Sequence, residues 1–436
     1  MKRRDFIEKT AAVATTFMIV PRHVLGGKGY TAPSEKLNIG GVGVGGVGKS
    51  YLENVASENI IALCDVDDEF AEKTYKIYPP ARRYRDYREM LAKETELDAV
   101  VIGTPDHTHA IIAMDAMRQG KHIYCAKPLT RTIYESRLLT ETARKTKVAT
   151  QMSIQANAAE DHRLLCEWIA DGAIGDVREV HVWSNRPIWP QGLDRPKEIP
   201  SVPRSLDWGL WIGPAPYRPY HPAYHPFKFR GWWDFGTGAL GDMGCHQFDP
   251  IVKALKLGQP TSVHASSTQV YEDTFPAAAI VYYEFPPREG MPAVQVTWYD
   301  GGLKPRRPQE LEEGRQFGDW NGGILFIGEK GTILSTAVGH GPRIIPETRM
   351  KAYKRPHETL PRSIGHYEEW IAACKGGAPA AANFDYGGPL TEMVLLGNIA
   401  LRADKKLAWD FANMKITNDE TANKYINEPY FNGWQI

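Results

Sequence analysis

Residues 37–50 read LNIGGVGVGGVGKS, and no other stretch restricts the fold so tightly. A β-prone lead-in, Leu37 to Val42, runs into Gly43-Val44-Gly45-Gly46-Val47-Gly48, which fits G-x-G-x-x-G. The first glycine permits a tight strand-to-helix turn, the second lets the backbone approach a pyrophosphate, and the third lets helix and strand pack closely. The N-terminus of the following helix would offer unpaired N–H groups and the positive end of its dipole to phosphates. A glycine run alone is often only a flexible loop. Here Tyr51, Leu52 and Val55 continue a helical pattern, and Ile60–Val66 reads as a second strand. Asp65 stands near its end, where a carboxylate meets a ribose 2′-hydroxyl. The expected ligand is a dinucleotide held by Gly43, Val44, Gly45, Gly46, Val47 and Asp65. It is NAD in preference to NADP, because the carboxylate repels a 2′-phosphate.

A chain of 436 residues has room for two domains with their own cores. Its 52 acidic residues balance 52 Lys and Arg, so no charge excess points to nucleic acid or a membrane surface. The five cysteines, at 64, 125, 166, 245 and 374, are widely spaced and lack C-x-x-C, so neither a disulfide framework nor a structural zinc site is expected. The start differs from the body. Lys2-Arg3-Arg4-Asp5-Phe6-Ile7 precedes the apolar run Ala11–Val20, which is too short to span a bilayer. Residues 1–33 therefore read as an export signal and linker of twin-arginine type, the competing reading being an N-terminal helix of the mature fold. No cysteine follows the apolar run, so no lipid anchor is expected. The expected location is the periplasm. The twin-arginine route carries folded proteins, so NAD would be loaded beforehand and held tightly.

Residues 34–150 alternate strand and helix patterns, as a doubly wound parallel sheet requires. Ala99–Thr104 is continuously apolar and ends at Pro105; His109–Gln119 forms a helix closed by Gly120; His122–Cys125 leads into Ala126-Lys127-Pro128. In such sheets ligands sit beyond the carboxyl ends of the strands. Thr104-Pro105-Asp106-His107 and Ala126-Lys127-Pro128 fall there, on the rim of the glycine loop. Thr104, Pro105, His107 and Lys127 are thus candidates for contact with the cofactor. The H-x-H spacing of His107 and His109 raises a metal, but neither cysteine nor paired carboxylates accompany it, and no metal is expected.

Residues 151–410 carry a helix around Leu164–Ile169, then strand patterns at 176–184, 262–271, 278–285, 293–299 and 324–327. The expected second domain is α+β with an open-faced, mostly antiparallel sheet. Ten of the 31 prolines lie between Pro187 and Pro226, which excludes long regular elements. Trp189, Trp208, Trp211, Tyr217, Tyr220 and Tyr224 make that stretch a packed loop over a cleft, not a linker. The segment 298–308 reads as a strand and sharp loop reaching the cleft or a neighbouring subunit, and residues 411–436 as a tail wrapping the body. Arg230–Asp249 (RGWWDFGTGALGDMGCHQFD) is the second chemical centre. Asp242 and His246, four apart, share one helix face. A carboxylate beside an imidazole raises its basicity and orients it for proton transfer. A capped helix with a satisfied core histidine explains the spacing equally well.

The glycine loop, Asp65, TPDHTH at 104–109, KHIYCAKPLT at 121–130 and the G-x-L-x-D-x-G-x-H pattern from Gly238 to His246 together resemble the glucose–fructose oxidoreductase and inositol dehydrogenase family. The resemblance runs through the chain beyond residue 33. It implies that the rim motifs flank the nicotinamide, that Lys127 polarises the reacting oxygen, and that Asp242 and His246 lie on the catalytic helix. It places Gln155 near the nicotinamide ribose or substrate, and it implies a homo-oligomer, dimer or tetramer. Ala126 stands where the family's E-K-P motif carries glutamate. The function so implied is NAD-dependent oxidation of a secondary hydroxyl of a sugar or glycoside, or the reverse. Lys127, Asp242 and His246 would be catalytic, with Asp242 orienting His246. A redox-assisted glycoside hydrolase or lyase is the alternative, and a non-catalytic sugar sensor a third reading.

Overall fold

The computed structural model describes residues 35–436. The expected export segment, residues 1–33, lies outside the described residues. The first unit is a six-stranded sheet of β1 (Asn38–Val42), β2 (Asn59–Cys64), β3 (Arg82–Tyr84), β4 (Ala99–Ile102), β5 (His122–Cys125) and β6 (Thr150–Met152), in the order β3-β2-β1-β4-β5-β6. Every pair is parallel. β4 is buried at each residue, as its unbroken apolar run requires. Local chemistry starts the helices. Asp67 accepts from the N–H groups of Glu69 and Phe70 at the head of the Asp68–Ile77 helix, and Thr132 with Glu135 forms a reciprocal capping box ahead of Ile133–Thr146.

The sheet outlasts the expected boundary at residue 150. Thr150–Met152 belongs to it as β6, and three residues are too few for a periodicity to reveal.

The second unit is built on a nine-stranded sheet: β7 (Val177–Ser184), β8 (Ser262–Ser267), β9 (Ala279–Phe285), β10 (Val294–Tyr299), β11 (Gly322–Gly328), β12 (Gly331–Thr336), β13 (Arg343–Ile345), β14 (Leu407–Asp410) and β15 (Lys415–Ile416). Its order is β13-β12-β11-β7-β10-β9-β8-β14-β15. Only β7 and β10 run parallel; the other neighbours are antiparallel. The expected α/β fold, a doubly wound sheet plus an α+β unit with a mostly antiparallel sheet, is the observed one. β12 to β15 are not among the expected strands; β13 and β15, of three and two residues, are too short to show a period.

Two helices join the units. Gly238–Ala254 and Phe384–Ala403 pack against each other. The second also docks on the Ile133–Thr146 helix, where Arg137 pairs with Glu392 at 2.9 and 2.8 Å and Ser136 Oγ donates to the Gly388 carbonyl. One hydrophobic cluster therefore runs from Val42 and Ile102 through Leu240 and Val394 to Val180 and Trp298. No residue of 298–308 lines the cleft; further along the same loop, Leu311 and Phe317 pack with Trp183, Leu325 and Leu334 of the sheet. Among the described residues no helix is long and apolar enough to cross a membrane.

Candidate functional site

Strand order reverses between β1 and β4, and the crevice opens at their carboxyl ends, as doubly wound sheets dictate. Gly43 turns the chain there with φ +72°, and a Cβ on it would lie 2.6 Å from the Thr104 nitrogen. A Cβ on Gly48 would lie 1.9 Å from the Gly43 carbonyl oxygen, so only glycine lets the Gly46–Asn54 helix approach β1. The resulting cleft has a volume of about 440 Å³ and is lined by Gly43, Gly45, Gly46, Val47, Asp65, Thr104 and Pro105 among others. Asp65 accepts from the N–H groups of Val44 (2.8 Å), Gly45 (3.0 Å) and Asp67 (3.0 Å), which fixes the loop against β2. Burial pushes its carboxyl up from 3.8 to about 6. The Thr104 hydroxyl is buried at the rim without a hydrogen-bond partner among the described residues. A cradle that admits no side chain, with a carboxylate at one end and an unsatisfied hydroxyl at the rim, fits a dinucleotide.

The second unit roofs the cleft. Trp211, His225, Phe227, Phe229 and Arg230 line it from the proline-rich segment, and Trp434 from the tail. The aromatic cluster of Leu206, Trp208, Trp211, Tyr224, Phe229, Trp232 and Phe235 makes this segment a rigid cover. His225 Nε2 lies 2.8 Å from the Asp67 carboxylate at the head of the Asp68–Ile77 helix, so the cover is latched to the nucleotide domain.

Arg230 links the cleft to a charged centre whose other members do not line it. Lys127, just past β5, donates from Nζ to the Asp242 carboxylate at 2.7 Å and to its backbone carbonyl. Asp242 sits in the first turns of the Gly238–Ala254 helix. It also accepts from Arg186 Nε (2.9 Å) and Arg230 Nε (3.2 Å). Burial alone would raise its pKa; Lys127, Arg230 and Arg186 override that and hold it far below the ordinary carboxylate range. His246 follows one turn later. Burial, reinforced by the Lys127 ammonium, drives its imidazole down from 6.5 to about 3, so it is neutral near pH 7.

The structure thus brings Lys127, Asp242 and His246 together but changes the task of Asp242. It makes no hydrogen bond to His246 among the described residues, because three cations take its oxygens. The expected orientation of His246 by Asp242 is corrected accordingly: Asp242 gathers cations.

Other candidates separate similarly. Val44 contributes its N–H to Asp65 while its side chain is buried. His107 lies off the cleft lining: its ring nitrogens face the carbonyls of Trp211 (2.9 Å) and Phe235 (3.2 Å), pinning the cover from beneath. Burial lowers its pKa to about 4. Gln155 also lies off the cleft lining, its amide shared between the hydroxyls of Tyr124 and Tyr367. His109 ties the rim motifs together, one ring nitrogen 2.8 Å from the Thr104 carbonyl and the other 2.9 Å from that of Pro128. Arg186, Arg230 and Trp434 carried no sequence signal. Arg230 stood inside the quoted motif, but nothing in its spacing marked it.

Two family models match the chain. One is described as the oxidoreductase family, NAD-binding Rossmann fold, over residues 37–154; the other as the oxidoreductase family, C-terminal alpha/beta domain, over residues 183–287. Together they span about half of the 436 residues. A glycosyl hydrolase family 109 protein of Shewanella sp. (strain ANA-3) is 26% identical over 202 residues, 40% of this chain and 44% of that protein. An alpha-N-acetylgalactosaminidase of Shewanella oneidensis is 26% identical over 162 residues, 34% of this chain and 35% of that protein. The chain spans less than half the length of these curated relatives. Among solved structures, the WlbA dehydrogenase of Bordetella pertussis in complex with NADH and UDP-GlcNAcA aligns with a TM-score of 0.61 at 17% identity, over 86% of this chain and 99% of that one. A levoglucosan dehydrogenase in complex with NADH gives 0.55 at 18%, over 86% and 99%. At these identities the structures speak for the fold. The chain belongs to the Gfo/Idh/MocA oxidoreductase family, and NAD is its cofactor.

Proposed function

We propose that the protein is an NAD-dependent oxidoreductase acting at a secondary hydroxyl, or the corresponding ketone, of a sugar or glycoside. The observation that supports this reading is the Lys127 ammonium held on Asp242, one turn before the neutral His246 imidazole, in a cluster joined to the dinucleotide cleft through Arg230. NAD, when bound, supplies the hydride acceptor. The chain's own residues handle the proton and the charge. His246 is in the form that takes the hydroxyl proton, and Lys127 donates to the oxygen as negative charge develops on it. Asp242 keeps the Lys127 ammonium at a fixed place. The aromatic roof limits water around the reacting carbon.

The names of the curated relatives support a second reading, a redox-assisted glycoside hydrolase or lyase, in which transient oxidation of one carbon acidifies its neighbour and the hydride then returns. One experiment separates the two. The cofactor-loaded protein is mixed with a panel of glycosides, including nitrophenyl glycosides, while reduced-nicotinamide absorbance and released aglycone are followed. Lasting reduction of the cofactor without aglycone release supports the oxidoreductase. Aglycone release with no net reduction supports the hydrolase or lyase.

The same reading includes a tightly held cofactor, export by the twin-arginine route, and a homo-oligomer formed through the outer face of the nine-stranded sheet. Mass spectrometry of the denatured, purified protein should find released nucleotide, and light scattering a mass of at least two chains. Nucleotide-free protein, or one chain at micromolar concentration, contradicts the corresponding point.

A further inference from the structure

The charged centre holds more positive charge than the reaction needs. Lys127, Arg186 and Arg230 converge on the single carboxylate of Asp242, and their side chains keep only 14%, 14% and 20% exposure. The other carboxylate acting on this group is Asp106, which is buried, accepts from Thr237 Oγ1 and has its pKa raised by burial. Asp242 and Asp106 together bring at most two negative charges to these three cations. His246 is neutral and offsets nothing. A cation short of a partner in a largely buried cluster is costly, and a ligand that brings a further anion relieves the cost.

The guanidinium geometry shows where that anion would sit. Arg186 spends Nε on Asp242 and Nη1 on Asn185 Oδ1. Arg230 spends Nε on Asp242 and Nη1 on the Phe227 carbonyl. Neither Nη2 has a partner among the described residues, and both belong to forks anchored on the same carboxylate. The aromatic rings of Phe229 (4.5 Å) and Phe227 (4.9 Å) face the Arg230 guanidinium and hold its plane before any ligand arrives. Two preorganised guanidinium edges beside an ammonium are suited to a planar carboxylate.

We propose that the substrate is an acidic sugar of the uronate class, its carboxylate seated on the free edges of Arg186 and Arg230 while its reacting hydroxyl lies at Lys127 and His246. The inference rests on the oxidoreductase reading and narrows its substrate. Arg230 also lines the dinucleotide cleft whereas Arg186 does not, so Arg186 is the residue to test.

Calorimetric titration of the NAD-loaded protein with methyl glucuronide and methyl galacturonide, against methyl glucoside and methyl galactoside, reads the preference directly. The acidic glycosides should bind roughly tenfold tighter or more at low salt, with the ratio shrinking as salt rises. Arg186→Gln should bring the ratio close to one, and Arg186→Lys should retain most of it. Equal or tighter binding of the neutral glycosides by the unsubstituted protein overturns the proposal, and so does an unchanged ratio in a folded Arg186→Gln protein. Cofactor absorbance in the same mixtures separates this failure from failure of the oxidoreductase reading. Tight uronide binding with a silent cofactor refutes the redox chemistry and leaves the anion site standing. Reduction by neutral glycosides alone does the reverse.

Discussion

Asp242 is the residue on which three cations depend, and its substitution has two separable consequences. Asp242→Asn leaves Lys127, Arg186 and Arg230 facing one neutral amide oxygen. Breaking a buried charge cluster in this way costs about 3–5 kcal/mol, which a urea-unfolding midpoint will register. His246→Gln should by contrast leave NAD bound and stability little changed while turnover falls by roughly 10²- to 10⁴-fold. The lowered pKa of His246 also fixes a pH dependence. A group held down to about 3 stays neutral as pH falls past 6.5, so the acid limb of kcat/KM should be absent near pH 6.5; a limb centred there contradicts the assignment. At this scale the sequence was partly legible. The four-residue spacing placed Asp242 and His246 on one helix, and the lysine at a strand end proved to be their neighbour. The arginines were not legible, because Arg186 lies 56 residues from Asp242 and reaches it from the end of β7, a meeting that only the folded sheet and helix create.

The glycine turn shows how an element is set by what cannot fit into it. In Gly48→Ala the new methyl would meet the Gly43 carbonyl, so helix and strand must separate. Overpacking of this kind costs about 1–3 kcal/mol, and the purified variant should carry little nucleotide when its ratio to protein is measured. The C-terminal segment acts at the opposite end of the same crevice. Trp434 stacks on Tyr87 with centroids 6.1 Å apart, lies 4.3 Å from the Arg88 guanidinium, and is tied down by Asn432 donating to the carbonyls of Gly213 and Ala215. Trp434→Ala should therefore speed NAD release several-fold, read as the exchange rate of bound nucleotide, without altering the fold. The βα units were legible because a buried parallel strand is continuously apolar and glycine or proline ends it. The tail was not, since its contacts are single aromatic and amide anchors with no period.

Across the whole molecule, buried histidines set the response to acid. Burial holds His107 at about 4 and His246 and His366 at about 3, against 6.5 for a free imidazole. Below about pH 6.5 the unfolded chain takes up protons that the native state refuses, so stability present at neutral pH is lost as pH falls toward 4. Asp65, at about 6, and Asp300, at about 7, act with the opposite sign: burial raises them, and their contribution is present at low pH and lost as pH rises. Burial also lowers His122, His162, His181 and His225, which places the larger group on the histidine side. The urea midpoint should fall steadily from about pH 7 to about pH 5; a midpoint that rises over that interval contradicts this balance. The two-unit architecture was legible from sequence, but the way helix Phe384–Ala403 welds the units was not, since the residues that meet in Arg137–Glu392 are 255 apart.

Lys127 and His246 are proposed to work on one substrate at one bound cofactor. Stopped-flow recording of reduced-nicotinamide absorbance tests it most directly, with the NAD-loaded protein, Lys127→Ala and His246→Gln each mixed with the same responsive glycoside. Absorbance should rise for the unsubstituted protein and for neither variant, although both still carry nucleotide. A rise at the unsubstituted rate in both variants would show that these two side chains do not perform the chemistry.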